Sequence, residues 1–565
     1  DKNFYTHPGF DISAIIRAFK ENNGAGRVLQ GGSTITQQLI KSSMLSSEKS
    51  ITRKAKELIL AFWAERIYSK DEILEMYLNQ VPYGGTAWGV GAASEIYFNK
   101  NVKTLTLAQS AFLAGLTASP SIYSPYGLDP DLWKRRQKEV LSRMASLGYI
   151  TREQANKASM EKLVFAKNQS AFHAPHFVNY VRDLLIKKYG IAIVEKGGLQ
   201  VKTSLDLKLQ NNIEQIVRDE VLKNAYLNLT NGAAVISDPK NGDILTMVGS
   251  KDFNDPQGGN VNIATSLRQP GSTVKVITYS AALSNSFTAA SILSDIPTTF
   301  PQASGVPYAP VNYDGKFHGQ LPLRIAFANS FNIPAVKTLQ QIGIPTMVHL
   351  ARDMGISSWD PEGQYGLSLT LGSAEVTMLD MATVNGTLAN QGRRVDLNPI
   401  LKITNYKGDV LEEKHPDTGR QILQQGVAYI ISDILADNAA RSMEFGSNSP
   451  LHIPGHTVSV KTGTSDNKRD NWTNGFTPDF VVSTWVGNND NSPMSQTLAS
   501  GITGAAPIWN RIMTLLIGNK PDRKQPLPSD IISIPCNGRI EYFIRGTEKN
   551  ASCRAYPITP QPTKP

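Results

Sequence analysis

At 565 residues the chain is longer than one ordinary hydrophobic core serves, so two to four domains are expected. Its 41% hydrophobic and 19% charged residues, without a low-complexity tract, exclude disordered and fibrous classes. The 57 Lys+Arg against 48 Asp+Glu give a formal charge of +9, which suits nucleic acid, an anionic membrane surface or phosphorylated substrates. No basic run interleaved with aromatics and no zinc spacing supports nucleic acid, which is set aside. No stretch reaches 18 apolar residues and no signal peptide is recognisable, so nothing in this sequence spans a bilayer as a helix. The chain opens abruptly on Asp1-Lys2-Asn3-Phe4, and an anchor is expected upstream of it.

Residues 1–160 read as mostly helical and mildly basic, with 20 Lys+Arg against 14 Asp+Glu. Apolar positions recur at helical spacing through 51–76, 105–116 and 132–147, and Thr151-Arg-Glu-Gln opens a further helix after Gly148. Gly31-Gly32 and Gly84-Gly85 are loop signals that let backbone approach a ligand. Within the second helical stretch Leu58–Trp63 is aromatic-bearing, with core as its expected fate and a membrane surface as the alternative. Residues 161–225 read as a connector, where strand-like alternation from Gly197 leads into a helix ending near Asn224. Over 226–518 the apolar runs 233–238 and 243–248, joined by Pro239-Lys-Asn-Gly242, predict a hairpin. A buried helix at 272–283 after that hairpin predicts an antiparallel sheet packed with helices, and Phe480–Val486 reads as a further strand neighbouring Lys461-Thr-Gly. The tail, 519–565, carries both cysteines, Cys536 and Cys553. Two short strands are expected there, with either one disulfide or two separate thiols.

The chemistry concentrates on Gln269-Pro-Gly-Ser272-Thr-Val-Lys275, where the helix begins. Ser272 and Lys275 share one helical face. A serine needs a neighbouring base to become a nucleophile, and a lysine serves only if burial lowers its pKa. Val274, Val276 and Ile277 supply the apolar surroundings. Alone the pattern is weak, since Ser-x-x-Lys recurs at Ser46–Lys49, Ser159–Lys162 and Ser465–Lys468. What singles out this copy is the order that follows: Ser330-Phe-Asn332, then Lys461-Thr462-Gly463-Thr464. Ser465-Asp-Asn467 also fits Ser-x-Asn but falls after Lys-Thr-Gly, out of order.

Asp1-Lys-Asn-Phe-Tyr-Thr-His7-Pro-Gly9, Gly32–Lys41 (GSTITQQLIK), Arg53-Lys-Ala-Lys-Glu57 and Lys70–Asn79 (KDEILEMYLN) resemble the successive motifs of peptidoglycan glycosyltransferases. With the downstream triplet, the whole chain resembles a class A, bifunctional penicillin-binding protein. That resemblance implies a mostly α-helical, lysozyme-like glycosyltransferase domain at 1–160. An α+β transpeptidase domain of the penicillin-binding and β-lactamase type would then occupy 226–518. It implies transfer of a disaccharide from a lipid diphosphate (lipid II) onto nascent peptidoglycan. Lys41, Arg53 and Lys54 would hold the phosphates, with Ser33, Thr36 and Gln37 as neutral donors. By spacing alone, Arg53 and Glu57 would be an i,i+4 ion pair on a solvated helix face. In the motif Glu57 matches the second of the family's two important glutamates, while the first, the general base, would immediately precede Asp1. If that base is absent the glycosyltransferase domain is expected to be inactive, leaving a transpeptidase only. Ala118 stands where many relatives carry lysine.

For the second site the resemblance implies that Ser272 attacks a D-Ala-D-Ala peptide with Lys275 as base, while Ser330 relays the proton. Asn332 would bind the peptide, and Lys461, Thr462 and Thr464 the terminal carboxylate. Gly463 would let an edge strand close on the substrate, and β-lactams would be covalent inhibitors. It also implies action at the extracytoplasmic face of a bacterial membrane, and magnesium or manganese at the glycosyltransferase site. A β-lactamase would need a deacylating Glu-x-x-Leu-Asn after Ser-x-Asn; Glu75–Asn79 matches the string but lies upstream of Ser272. A catalytically decayed wall-binding or drug-sensing protein is the reading from outside enzymology, and the complete second triplet argues against it.

Overall fold

The computed structural model describes the chain except residues 14–31, 45–50, 85–86, 126–130, 167–172, 302–306, 416, 498, 552 and 554–565. Gly31, Gly85 and the Ser46–Lys49 pair therefore lie outside the described residues. The chain forms two compact units, Asp1–Phe172 and His173–Pro565.

The first unit is helical among its described residues. Its helices include α1 (Ile35–Met44), α2 (Ile51–Ile67), α3 (Lys70–Gln80), α4 (Val90–Phe98), α5 (Leu107–Leu116), α6 (Leu132–Ser146) and α7 (Arg152–Met160). Three of them start on capping boxes, Ser69/Glu72, Thr106/Gln109 and Thr151/Gln154, each satisfying two backbone donors at the helix start. An aromatic cluster of Phe98, Phe112, Trp133 and Phe165 fills the core under α4–α6, with Phe112 and Phe165 4.9 Å apart. Two smaller clusters, Phe4–Leu39–Ile73 and Ile40–Ala61–Ala64, pack α1 against α3 and α2. On α2 the expected core segment splits: Ala61 and Ala64 are buried, but Ile59, Trp63 and Ile67 form an i, i+4, i+8 stripe 56–68% exposed. Six residues of 58–63 cannot all face inward on a helix with one packed side.

The stretch 161–225 is not a body of its own. Leu163 and Phe165 pack in the first unit, while Phe177, Val181 and Ile213 belong to cores of the second. The expected helix within it, α9 (Leu207–Lys223), ends at Asn224, after α8 (Pro175–Tyr189).

The second unit is built on a five-stranded antiparallel sheet. Its strands are β1 (Asn231–Ser237), β2 (Ile244–Val248), β3 (Ser459–Thr464), β4 (Asp470–Phe476) and β5 (Val481–Gly487), in the order β3-β4-β5-β1-β2. The hairpin β1–β2 is as expected. Both faces are covered: Ala233, Val235 and Trp485 face one core, Ala234, Ile236 and Val486 the other. That explains continuous apolar runs without polar alternation. The first core takes the buried helix α10 (Lys275–Ser284); the second takes α9 and α15 (Ala505–Ile517), the intervening helices being α11 (Leu323–Ala328), α12 (Asn332–Ile342), α13 (Met378–Ala389) and α14 (Gln425–Ala436).

The expected pairing of 480–486 with Lys461-Thr-Gly is corrected by β4, which lies between them. Its sequence, Asp-Asn-Trp-Thr-Asn-Gly-Phe, looks like a loop yet is buried throughout, its Asp470 accepting the Trp485 indole N–H at 2.9 Å. The tail folds as the hairpin β6 (Ile531–Cys536) and β7 (Arg539–Ile544), closed by a Cys536–Cys553 disulfide. Glu541 of β7 grips Arg324 of α11: Nε donates to Glu541 at 2.8 Å, and Asp433 and Asp437 complete a buried ion network.

Candidate active sites

Ser272 sits in the turn Gly271–Val274 that feeds α10. Gly271 has φ 54°, and a Cβ there would stand 2.4 Å from Thr464 O; one at Gly463 would stand 2.3 Å from Pro270 O. Edge strand β3 is thus laid main chain to main chain on the serine turn, which only glycine permits. Trp472 of β4 fixes the same loop by donating to Gln269 O at 2.8 Å.

Fully buried Lys275 donates to Ser330 O (2.6 Å), Asn332 Oδ1 (2.7 Å) and Phe331 O (3.2 Å), and its Nζ is 3.5 Å from Ser330 Oγ. Lys461 donates to Ser330 Oγ at 2.7 Å and to Thr462 O at 2.8 Å. Ser330 therefore joins all three motifs, and it is held at φ 62°, a left-handed conformation that strains a serine. The expected Ser272–Lys275 hydrogen bond is not made: the three oxygens around Nζ claim its donors, and among the described residues Ser272 Oγ has no partner. In a free enzyme such catalytic bonds commonly tighten only around substrate. Burial, reinforced by the Lys461 charge, pushes Lys275 well below its ordinary value; burial pushes Lys461 down to about 7.

The support for Asn332 comes from residues that sequence patterns did not single out. Asn332 N–H donates to Asn312 Oδ1 at 2.7 Å, and its side chain donates to Val311 O. Asn312 in turn donates to buried Asp295, which also holds His318 Nδ1 at 2.8 Å, and His318 stacks on Phe331. These positions lie up to 37 residues upstream of Asn332, and no local pattern ties them to it. Thr464 Oγ accepts the Gly501 N–H at 3.0 Å, which leaves its own proton to give; Thr462 stands buried beside it. Ser272, Ser330, Asn332, Thr462, Gly463 and Thr464 line one cavity.

In the first unit α2 brings Lys54 and Glu57 together, and Lys54 also donates to Ser33 Oγ at 2.8 Å. Glu57 is only 1% exposed, so the solvated ion-pair face expected from spacing is replaced by a buried carboxylate paired with Lys54. Arg53 is half-buried on the same helix, and Lys41 is exposed on α1. Thr36 and Gln37, the other neutral donors expected, lie buried at the start of α1, with Gln37 Nε2 unpartnered among the described residues. Thr36 is fully buried and donates to Glu65 at 2.5 Å; fully buried Gln37 accepts the Thr34 N–H at 2.9 Å. Both hold the start of α1. Asp1 does similar work, accepting from Ile35 N–H at 2.8 Å and meeting His7 Nε2 at 3.0 Å.

For magnesium or manganese the residues do not fit. Among the described residues no group of three His, Cys, Asp or Glu could hold a metal, and the partners around Glu57 are an ammonium and a hydroxyl.

Two chemistries are thus laid out: a serine acyl-transfer centre in the second unit and a cation–carboxylate pair on a helix in the first. The family models agree. A transglycosylase model matches residues 1–145, and a penicillin-binding protein transpeptidase model matches 232–514. Penicillin-binding protein 1A of Clostridium botulinum (strain Langeland) is 34% identical over 573 residues, covering 94% of this chain and 68% of the relative. That of Aquifex aeolicus is 30% identical, covering 98% and 87%. The crystal structure of penicillin-binding protein 1A from Haemophilus influenzae shares the fold, with a TM-score of 0.71 at 23% identity over 92% of this chain and 94% of that one. The chain belongs to the class A, bifunctional penicillin-binding proteins. It is a peptidoglycan synthase with glycosyltransferase and transpeptidase activities.

Proposed function

We propose that the second unit cross-links stem peptides through an acyl-enzyme on Ser272, and that the first polymerises lipid II. The observation that carries the first half is Ser330 Oγ, 2.7 Å from Lys461 Nζ and 3.5 Å from Lys275 Nζ. Ser272 Oγ attacks the penultimate D-alanine carbonyl and gives its proton to neutral Lys275. Ser330 passes that proton to the leaving D-alanine amine. The backbone N–H groups of Ser272 and Thr464 face the developing oxyanion, at about 3–4 kcal/mol per donor. Protonated Lys461, with the Thr462 and Thr464 hydroxyls, takes the terminal carboxylate. As an edge strand, β3 offers an unpaired main-chain row for the peptide. A β-lactam follows the first step and stays attached.

In the first unit Lys54, held by Glu57 and Ser33, is the leading phosphate cation, with Arg53 next to it along α2 and Lys41 on α1 as further cations. Glu57 keeps Lys54 aimed. A divalent cation, where one takes part, would arrive on the substrate diphosphate rather than in a protein site. The exposed Ile59–Trp63–Ile67 stripe suits a membrane surface, where such a substrate resides. Among the described residues no helix is long and apolar enough to cross a membrane. The Cys536–Cys553 disulfide fits the oxidising, extracytoplasmic side.

The test is labelling with fluorescent penicillin alongside glycan-chain formation from lipid II. Ser272→Ala is expected to abolish labelling and leave glycan chains forming. Labelling that survives in Ser272→Ala overturns the assignment.

A further inference from the structure

The cavity in front of Ser272 is lined by a carboxylate that the chemistry above leaves idle. Glu444 belongs to the short helical turn Ser442–Phe445, and its N–H donates to Asn329 Oδ1 at 2.9 Å. Asn329 directly precedes Ser330 and donates to Ala440 O at 2.7 Å, so this turn is stitched beside the Ser-x-Asn motif. The Glu444 side chain makes no hydrogen bond or ion pair among the described residues. The other carboxylate lining the cavity, Asp466, is exposed just past the end of β3. Asp295 and Asp314 are both engaged by His318, at 2.8 and 3.2 Å.

Transpeptidation poses a charge problem at this place. After acylation the Ser272 ester must meet a primary amine of a second stem peptide, and at neutral pH that amine arrives as an ammonium. Lys461 is charged and the buried guanidinium of Arg441 adds a second cation near it, beside neutral Lys275. Such surroundings repel an ammonium, and neutral Lys275 is committed to the proton that returns to Ser272. Glu444 feels the charges of both lysines, as well as those of Asp314 and His318.

We propose that Glu444 is the acceptor subsite of the transpeptidase: it draws in the primary ammonium of the acceptor peptide and takes its first proton. The step balances. The ammonium gives one proton to a Glu444 carboxylate oxygen, and the freed nitrogen lone pair forms the new bond to the acyl carbon. The bond from that carbon to Ser272 Oγ breaks, and the second amine proton returns to Ser272 by way of Lys275 and Ser330. Burial raises the pKa of Glu444, which suits a carboxylate that must hold a proton. The inference rests on the Ser272 acyl-enzyme proposed above.

The experiment uses the whole chain, a D-alanyl thioester as acyl donor and glycylglycine as amine. It reads the ratio of amide to hydrolysed product, the amine KM and, separately, the acylation rate with benzylpenicillin. Glu444→Gln is expected to lower the amide-to-acid ratio about tenfold or more through a raised amine KM. The amine step should suffer at least ten times more than acylation, and Glu444→Asp, which keeps the charge, should recover most of the ratio. If Glu444 merely balances the lysine charges, acylation and amine transfer fall together and the ratio holds, which overturns the proposal. Equal behaviour of Glu444→Asp and Glu444→Gln overturns it as well. Acylation that persists in Ser272→Ala would instead defeat the underlying acyl-enzyme reading, and the two failures are told apart by that variant.

Discussion

The two sites of this chain are held in different ways. In the second unit the reactive groups are fixed by main chain: β3 lies against the serine turn with no room for a Cβ at Gly271 or Gly463, over a large core. In the first unit the site rests on side chains, where Lys54 of α2 holds both Glu57 of the same helix and Ser33, beside small clusters such as Ile40–Ala61–Ala64. A site set by main chain fails when volume is added. One set by charge pairs fails when a charge is removed.

That contrast can be broken or sharpened by substitution. The largest effect is expected where the second unit does rely on buried charge. Arg324→Met removes the cation that Glu541 and Asp433 share, with Arg539 remaining on Asp437, which should cost about 3–5 kcal/mol, read from the urea midpoint of the second unit. Glycan-chain formation should survive it at low denaturant. Next, Gly463→Ala pushes a methyl into Pro270 O and should slow penicillin acylation by about 10²-fold or more, with little loss of polymerisation. Its counterpart, Glu57→Gln, changes almost no volume yet should cut polymerisation about 10²-fold and leave penicillin labelling intact. If the glycine variant acylates normally, or the glutamine variant polymerises normally, the contrast fails.

The smallest effect is a shape in pH. Acylation needs Lys275 neutral and Lys461 charged. The rate should fall on the acid side as Lys275, whose pKa burial lowers, takes up a proton. It should also fall on the alkaline side as Lys461 loses its own above about 7. Lys461→Arg keeps its charge at all working pH values, so the alkaline fall should move upward by more than one pH unit. An unmoved alkaline limb would assign it to another group.

How much of this was legible in the sequence follows the same division. Ser272, Lys275, Ser330 and Lys461 announce themselves by order along the chain, and the β1–β2 hairpin by its Pro-Lys-Asn-Gly turn. Strand β4 stayed hidden because its polar side chains are buried and matched by partners such as the Trp485 indole, so no alternation marks it. The burial of Thr36 and Gln37 was not legible because a motif fixes which residues stand together and not which way they face. Ile59 and Trp63 looked like core for the opposite reason: apolar character signals burial, and here one helix face is left exposed among the described residues. Glu444 and the Asn312–Asp295–His318 support were invisible because their relation to Ser330 and Asn332 exists only in three dimensions.

The grip of Glu541 on Arg324 has a consequence for how the protein is made. Arg324 lies on α11, six residues before Ser330, whereas Glu541 is among the last hundred residues of the sequence given. A chain growing from its N-terminus exposes Arg324 more than two hundred residues before its carboxylate partner exists, and the Cys536–Cys553 closure comes later still. Until β7 arrives, the helix leading into the catalytic serine motif carries a guanidinium lacking its bidentate partner. Completion of the acyl-transfer centre thereby waits on residues that follow it by more than two hundred positions. A nascent or truncated copy ending before residue 541 would lack the contact that seats α11.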